Sequence, residues 1–194
     1  AFRQRGEDNV ALAFLGDGSI EEGVFHESAN LAALFRLPVI FFAENNLFSV
    51  YTHVRDRQPA RPPADVAKAH AMAAYHVDGN RVVEVFKATA AAVKRARGGN
   101  GPTLIVADTY RWREHCGPNY DNDIGYRSAA DFEAWKARCP VATFENYLIG
   151  EGVLDVPARD AMNKEIAAEI DAAFEFAKAA PFPDPATAGD GVYA

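Results

Sequence analysis

The chain has 194 residues, 49% of them hydrophobic, which is enough for one globular domain with its own core. A formal charge of −7 with no basic stripe excludes the usual nucleic-acid binder, and apolar runs as short as Val39 to Ala43 exclude a bilayer-spanning helix. Cys116 and Cys139 lack the paired spacing of a zinc site, so with no charged leader before an apolar segment the expectation is a soluble cytoplasmic protein.

Ala1 is not a methionine, and an apolar run follows almost at once; we expect an amino-terminal portion carrying at least one further strand to precede it. Val10 to Leu15 reads as a buried parallel strand stopped by the turn Gly16-Asp17-Gly18. A helix capped by Ser19 should follow, with Glu21 and Glu22 at its positive end and Phe25, Ala29, Ala32, Ala33 and Phe35 on its apolar face. Pro38 ends it, and Val39 to Ala43 is a second strand leading into a polar loop, Glu44-Asn45-Asn46. Arg55 to Pro63 reads as loop and Asp65 to Ala74 as a short helix. A longer helix is predicted over Val82 to Arg97, ended by Gly98, Gly99 and Gly101, and a third strand over Thr103 to Ala107. Further helices are predicted over Ala129 to Arg138 and Pro157 to Ala180, the second an alanine-rich helix expected to pack on the core. The α/β alternation implies a mostly parallel sheet covered by helices, followed by a helical carboxyl-terminal segment: one domain over residues 1–180 and a tail over 181–194.

In open α/β sheets ligands sit beyond the carboxyl ends of strands, where Gly16-Asp17-Gly18, Asn45-Asn46 and Arg111 to His115 all fall. Gly18 would let the backbone approach an anion, and the amides opening the next helix would meet phosphate oxygens. Asp17 and Asn46 offer hard oxygens to Mg²⁺. Alone, Gly-Asp-Gly is more often an ordinary turn and Asn-Asn only a loop; one helix and one strand between them place both at neighbouring strand ends.

The runs Gly16-Asp17-Gly18-Ser19, Gly23-Val24-Phe25-His26-Glu27, Asn30, Leu37 to Phe41 and Glu44-Asn45-Asn46 resemble the thiamine-diphosphate motif of 2-oxo acid dehydrogenase alpha subunits. Val77-Asp78-Gly79-Asn80, Gly101 to Ile105, Thr109-Tyr110-Arg111, His115 and Gly125-Tyr126-Arg127-Ser128 follow the same order, to about residue 150. The resemblance is to the decarboxylase components of pyruvate, branched-chain 2-oxo acid and acetoin dehydrogenase complexes. It implies a thiamine-diphosphate-binding fold in which Asp17, Asn46 and the Phe48 carbonyl hold Mg²⁺. Gly16, Gly18 and Ser19 would surround the diphosphate, Arg111 would support the mobile loop and balance the anionic charge of the cofactor, and His115 on that loop would touch the cofactor and take part in acyl transfer. It further implies a beta subunit, in a heterotetramer of two alpha and two beta chains, that supplies the glutamate acting on the aminopyrimidine. A 2-oxo acid is then the substrate and a lipoyl acyltransferase the acceptor.

Cys116 stands where many relatives have serine, which excludes a phosphoserine there; Arg81 and Ala107-Asp108 also depart from the pattern. Differences in Leu47 to Tyr51 and in Arg111 to His115 leave the particular 2-oxo acid open. Two other readings stay open as well: a transketolase-like or carboligase thiamine enzyme of biosynthesis, and a non-catalytic fragment acting as an interaction module. His26, Glu27 and Asn30 read as packing or subunit contacts, and His53, His70 and His76 as histidines without clustered partners. Trp112 and Trp135 read as packing residues.

Overall fold

The computed structural model describes residues 1–192. It forms two compact units, Ala1–Phe144 and the chain from Glu145 onward, where the sequence suggests one domain over 1–180. In the first unit the elements are α1 (Phe2–Arg5), β1 (Ala11–Gly16), α2 (Gly23–Leu34), β2 (Val39–Asn45), β3 (Phe48–Ser49), β4 (Thr52–His53), α3 (Asp65–Ala69), β5 (Ala73–Asp78), α4 (Val82–Arg97), β6 (Thr103–Asp108) and α5 (Ala129–Lys136). Strands β1-β2-β6-β5 lie in that order, all neighbours parallel, and β3 and β4 form a small antiparallel hairpin. This is the expected α/β class.

Successive side chains of a strand point to opposite faces, and β2 divides accordingly. Phe41 and Ala43 join Leu104, Val106 and the α2 residues Phe25, Ala29 and Ala32 on one face. Ile40 and Phe42 join Ile105, Ala107 and the α4 residues Ala88 and Ala92 on the other. The central strand β6 is buried from Thr103 to Ala107, which is why it reads as an unbroken apolar run instead of alternating. Each fully buried side chain among Ile40, Leu104, Ile105 and Val106 contributes roughly 1.5–3 kcal/mol relative to exposure.

Several expectations need correction. Among the described residues β1 pairs on one side only, and Leu12 is 43% and Phe14 65% exposed where the sequence suggests a buried strand. The helix after the Gly-Asp-Gly turn begins at Gly23 with Glu22 at its cap position, because Asp17–Glu21 first forms a 3-10 turn; Ser19 therefore caps nothing. Phe35 lies beyond that helix and is exposed. The expected helix 65–74 stops at Ala69, and its last two residues open the unforeseen strand β5. The hairpin β3–β4 also lacked a sequence signal. Its Val50 takes φ 53°, a left-handed conformation rare for a β-branched residue, and its carbonyl accepts from Arg111 Nη2 at 3.0 Å.

Helix α6 (Pro140–Gly150), also unforeseen, spans the division between the units. In the second unit α7 (Val156–Ala179) is capped by Asp155, whose carboxylate accepts from the Ala158 amide at 2.7 Å, and Pro157 occupies its first turn. Arg159 bridges to Glu145 at 2.9 Å. No α7 residue is buried within this unit, and Met162, Ile166, Ile170 and Phe174 recur every four residues along an exposed stripe. The expected tail contains a 3-10 turn at Pro185–Thr187, and its residues 193 and 194 lie outside the described residues.

Candidate functional site

The register Gly16↔Glu44 and Asn45↔Asp108 brings the ends of β1, β2 and β6 level, so Asp17 follows β1 beside the Asn45-Asn46 end of β2. Asp17 is buried at the start of the 3-10 turn. Its Oδ2 accepts from Arg57 Nη2 at 2.5 Å, and the side chains of the pair are only 6% and 11% exposed. Arg57 Nη1 binds Glu21, whose Oε1 also accepts from Gln58 Nε2 at 2.6 Å. A buried carboxylate requires a cation or several donors, and here the guanidinium supplies the cation with one charge-assisted hydrogen bond. Sequence reading missed Arg57: it sits 40 residues from Asp17 in a segment that carries only loop signals.

A Cβ on Gly18 would lie 2.8 Å from Ser49 Oγ and 3.5 Å from Arg57 Nη1. The close approach that this glycine permits is to the β3–β4 hairpin, not to open space. The α2 amino terminus begins five residues further on, so Gly18 and Ser19 are not at the end of an α-helix and its dipole does not act on them directly. Ser19 is exposed, and Gly16 is half-buried at the last position of β1.

Asn45 and Asn46 part company. Asn45 is buried; it donates to Asp108 Oδ1 at 2.7 Å and accepts from the Leu47 amide at 3.3 Å. Asn46 accepts from the Phe48 amide at 3.1 Å, with Leu47 between them at φ 69°. Asp17 and Asn45 line one cavity of about 320 Å³ with Ile20, Gln58 and Val106, whereas Asn46 and Phe48 line a neighbouring one of about 390 Å³ with Tyr126 and Arg127; Leu47 and Arg55 border both.

The segment from Thr109 to Ser128 is held by a buried ion pair. Arg127 Nη2 binds Asp121 Oδ1, and the two side chains are 2% and 4% exposed. Arg127 also donates to the Arg111 carbonyl and lies over the rings of Tyr110 and Tyr126. Tyr126 donates to Asp121 Oδ2 at 2.6 Å. Burial alone would raise the Asp121 carboxyl, but the Tyr126 hydroxyl and the Arg127 guanidinium outweigh it and hold it below the usual carboxylate range. Burial and the bond to Asp121 push the Tyr126 phenol up. Arg111 is a tie in this network: it donates to Tyr126 Oη at 2.9 Å as well as to Val50. His115 is exposed, lines neither cavity, and has Arg111 Nη1 3.4 Å from its Nδ1. Cys116 beside it is an exposed free thiol.

At the ends of β5 and β6, His76 Nε2 meets Asp108 Oδ2 at 2.8 Å, and Asp78 pairs with Arg138 at 2.6 Å. Asn80 bonds to the Arg138 carbonyl and accepts from Thr109 Oγ1. His26 Nδ1 and His70 Nε2 lie 2.9 Å apart, and His53 accepts from the Arg55 amide at 3.1 Å. His53, His70 and His76 are thus satisfied structural or surface histidines, although His70 and His76 each face a side-chain partner distant in sequence, His26 and Asp108. Trp112 and Trp135 do pack, against Phe132 and Tyr110.

Among the described residues no group of three His, Cys, Asp or Glu side chains could hold a metal. A cation at the strand ends would rest on Asp17 with amide and main-chain oxygens, and the donor chemistry fits one: Asp17 is buried, already faces a positive charge, and Arg57 takes only its Oδ2. The sequence model of the Dehydrogenase E1 component family matches residues 1–186. The chain is 37% identical over 194 residues to the 2-oxoisovalerate dehydrogenase subunit alpha of Bacillus subtilis, covering 100% of this chain and 58% of that protein. It is 37% identical over 191 residues to the chloroplastic pyruvate dehydrogenase E1 component subunit alpha-3 of Arabidopsis thaliana, covering 96% of this chain and 43% of that one. Among solved structures, transketolase from Campylobacter jejuni superposes on 53% of this chain and 16% of its own, with a TM-score of 0.47 and 25% identity. The chain thus spans about half the length of the relatives it matches, and it belongs to the dehydrogenase E1 component family.

Proposed function

We propose that this chain is the part of an E1 alpha subunit that holds the metal-diphosphate end of thiamine diphosphate, in an enzyme that decarboxylates a 2-oxo acid. The observation that carries this reading is the parallel register that sets buried Asp17 beside the Asn45-Asn46 end of the next strand. Asp17, the Asn46 amide oxygen and the Phe48 carbonyl would hold Mg²⁺, and Gly16, Gly18 and Ser19 would border the diphosphate. When bound, thiamine diphosphate supplies the carbanion chemistry of decarboxylation. The chain's own part is to bind and orient: Asp17 balances the metal charge, and the Arg111–Tyr126–Asp121–Arg127 network fixes the base of the loop that carries His115. His115, exposed on that loop, would donate to oxyanions of the cofactor or substrate.

The relatives are named for 2-oxoisovalerate and for pyruvate, so the substrate class is a short 2-oxo acid. A beta subunit in an α2β2 assembly would complete the site, a lipoyl acyltransferase would accept the acyl group, and the enzyme would work in the cytoplasm. The test is a titration of the full-length protein with its beta partner by thiamine diphosphate and Mg²⁺, repeated with Asp17→Ala and Asn46→Ala. Each substitution should weaken cofactor binding by at least about tenfold, the effect of losing one metal contact. Unchanged affinity in both variants would remove the metal-site reading. Turnover of 2-oxo acids with a lipoyl acceptor, compared with carboligation of the same acids, assigns the reaction.

A further inference from the structure

We propose that Arg57 is an internal cation that competes with the divalent metal for Asp17, with Glu21 as the place to which the guanidinium retreats. This rests on the metal role of Asp17 argued above and goes beyond it, because it concerns a residue outside that ligand set.

The geometry is that of a fork shared between two carboxylates. Arg57 Nη2 lies 2.5 Å from Asp17 Oδ2, and Nη1 binds Glu21 Oε1. Nε is anchored separately, 3.1 Å from the Thr52 carbonyl in the β3–β4 hairpin. The two carboxylates differ in surroundings. The Asp17 side chain is 6% exposed, so it cannot stand without a positive neighbour; Glu21 is 27% exposed, reaches solvent, and has Gln58 Nε2 as a second donor at 2.6 Å. A dication bound to Asp17 and a guanidinium 2.5 Å from the same carboxylate repel strongly in a site so shielded from water. Their repulsion sets the two in competition for Asp17, and the metal offers the greater charge. The guanidinium need not leave the protein to yield, since its second amino group is already on Glu21.

The consequence is an exchange with opposite signs in two measurements. Removing Arg57 leaves Asp17 unpaired, which lowers the stability of the metal-free protein, and removes the competitor, which tightens metal binding. A purely structural arginine would lower both.

The experiment uses the full-length protein with its beta partner and Mn²⁺ as the probe, read by electron paramagnetic resonance of the free ion and by thermal unfolding with and without metal, so that it does not depend on catalysis. Arg57→Gln should bind Mn²⁺ roughly tenfold more tightly than the parent while unfolding at a lower temperature without metal, tenfold being the scale of one lost charge contact. Glu21→Gln should do the reverse for affinity, weakening Mn²⁺ binding a few-fold, since Arg57 then has only Asp17; this second variant keeps the pair intact and so tests the idea even if Arg57→Gln does not fold. Asp17→Asn separates the two layers. If Asp17→Asn abolishes Mn²⁺ binding while Arg57→Gln leaves it unchanged or weaker, or Glu21→Gln leaves it unchanged, the exchange is wrong and the metal site stands. If Asp17→Asn leaves Mn²⁺ binding unchanged, the metal site itself is wrong and the exchange goes with it.

Discussion

Arg127→Met offers the sharpest test of how the loop bearing His115 is held. The substitution keeps the length of an apolar stem but removes a guanidinium that is 2% exposed and paired with Asp121, which is 4% exposed. Breaking a buried pair from one side costs about 3–5 kcal/mol, because the remaining charge stays buried. The lower end applies here, since Tyr126 still donates to Asp121 and Arg111 Nη2 lies 3.8 Å from it. A loss of about 3 kcal/mol in a folding unit of this size lowers Tm by roughly 6–12 °C, at about 2–4 °C per kcal/mol. The assay is thermal and urea unfolding of the full-length protein, with hydrogen exchange followed over residues 109–128. The double variant Arg127→Met/Asp121→Leu removes both charges and should recover to within about 1 kcal/mol of the parent, since well-packed apolar replacements of an ion pair are often neutral. A single-variant loss below about 1 kcal/mol, or a double variant no better than the sum of its singles, would refute the reasoning.

Other expectations follow from neighbouring contacts. The carboxyl of Asp121 is depressed on folding, so its contribution is fully present above about pH 3.9, the unfolded value, and is lost as pH falls through the lower folded value; acid unfolding of Asp121→Asn should lose that component. His70 is also depressed, first by burial and then by His26, so folding favours its neutral form. The stability it contributes is full above about pH 6.5 and falls as pH drops toward the folded value, and His70→Gln should flatten the denaturant midpoint between pH 8 and pH 5.5. Gly79→Ala would put a Cβ 2.7 Å from the Asp108 carbonyl oxygen and should cost about 2–3 kcal/mol, read as a shift in the urea midpoint. Asn80→Ala leaves the Thr109 hydroxyl and the Arg138 carbonyl without their partner and should cost about 2 kcal/mol by the same measurement.

What could be read in the residues followed the strength of local pattern. β2 and β6 are buried on both faces and stand out as apolar runs, and α4 carries its apolar positions at helical spacing with basic residues at its end. β5 did not show itself: Ala73-Ala74-Tyr75-His76-Val77 is half-buried with His76 outward, and two alanines read more easily as the tail of a helix. The two-residue strands of the hairpin are too short to have a period at all. Within the site, Asp17 and the asparagine pair were legible because spacing alone puts them at adjacent strand ends. Arg57–Asp17, His26–His70 and His76–Asp108 join residues 40, 44 and 32 positions apart, and no local pattern announces such pairs. They depend on how a loop, two helices and two neighbouring strands come together, which only the tertiary structure determines.

The outward flank of β1 has a practical meaning for anyone producing this polypeptide. Its backbone donors and acceptors on that side have no neighbouring strand among the described residues, and Leu12 and Phe14 stand next to them in solvent. Such a rim is a template on which another extended peptide can hydrogen-bond, and two copies can zip together along it. Overproduced by itself, the polypeptide should collect in inclusion bodies. Co-production with whatever masks that rim, or a lysine in place of Phe14, should keep it in the supernatant.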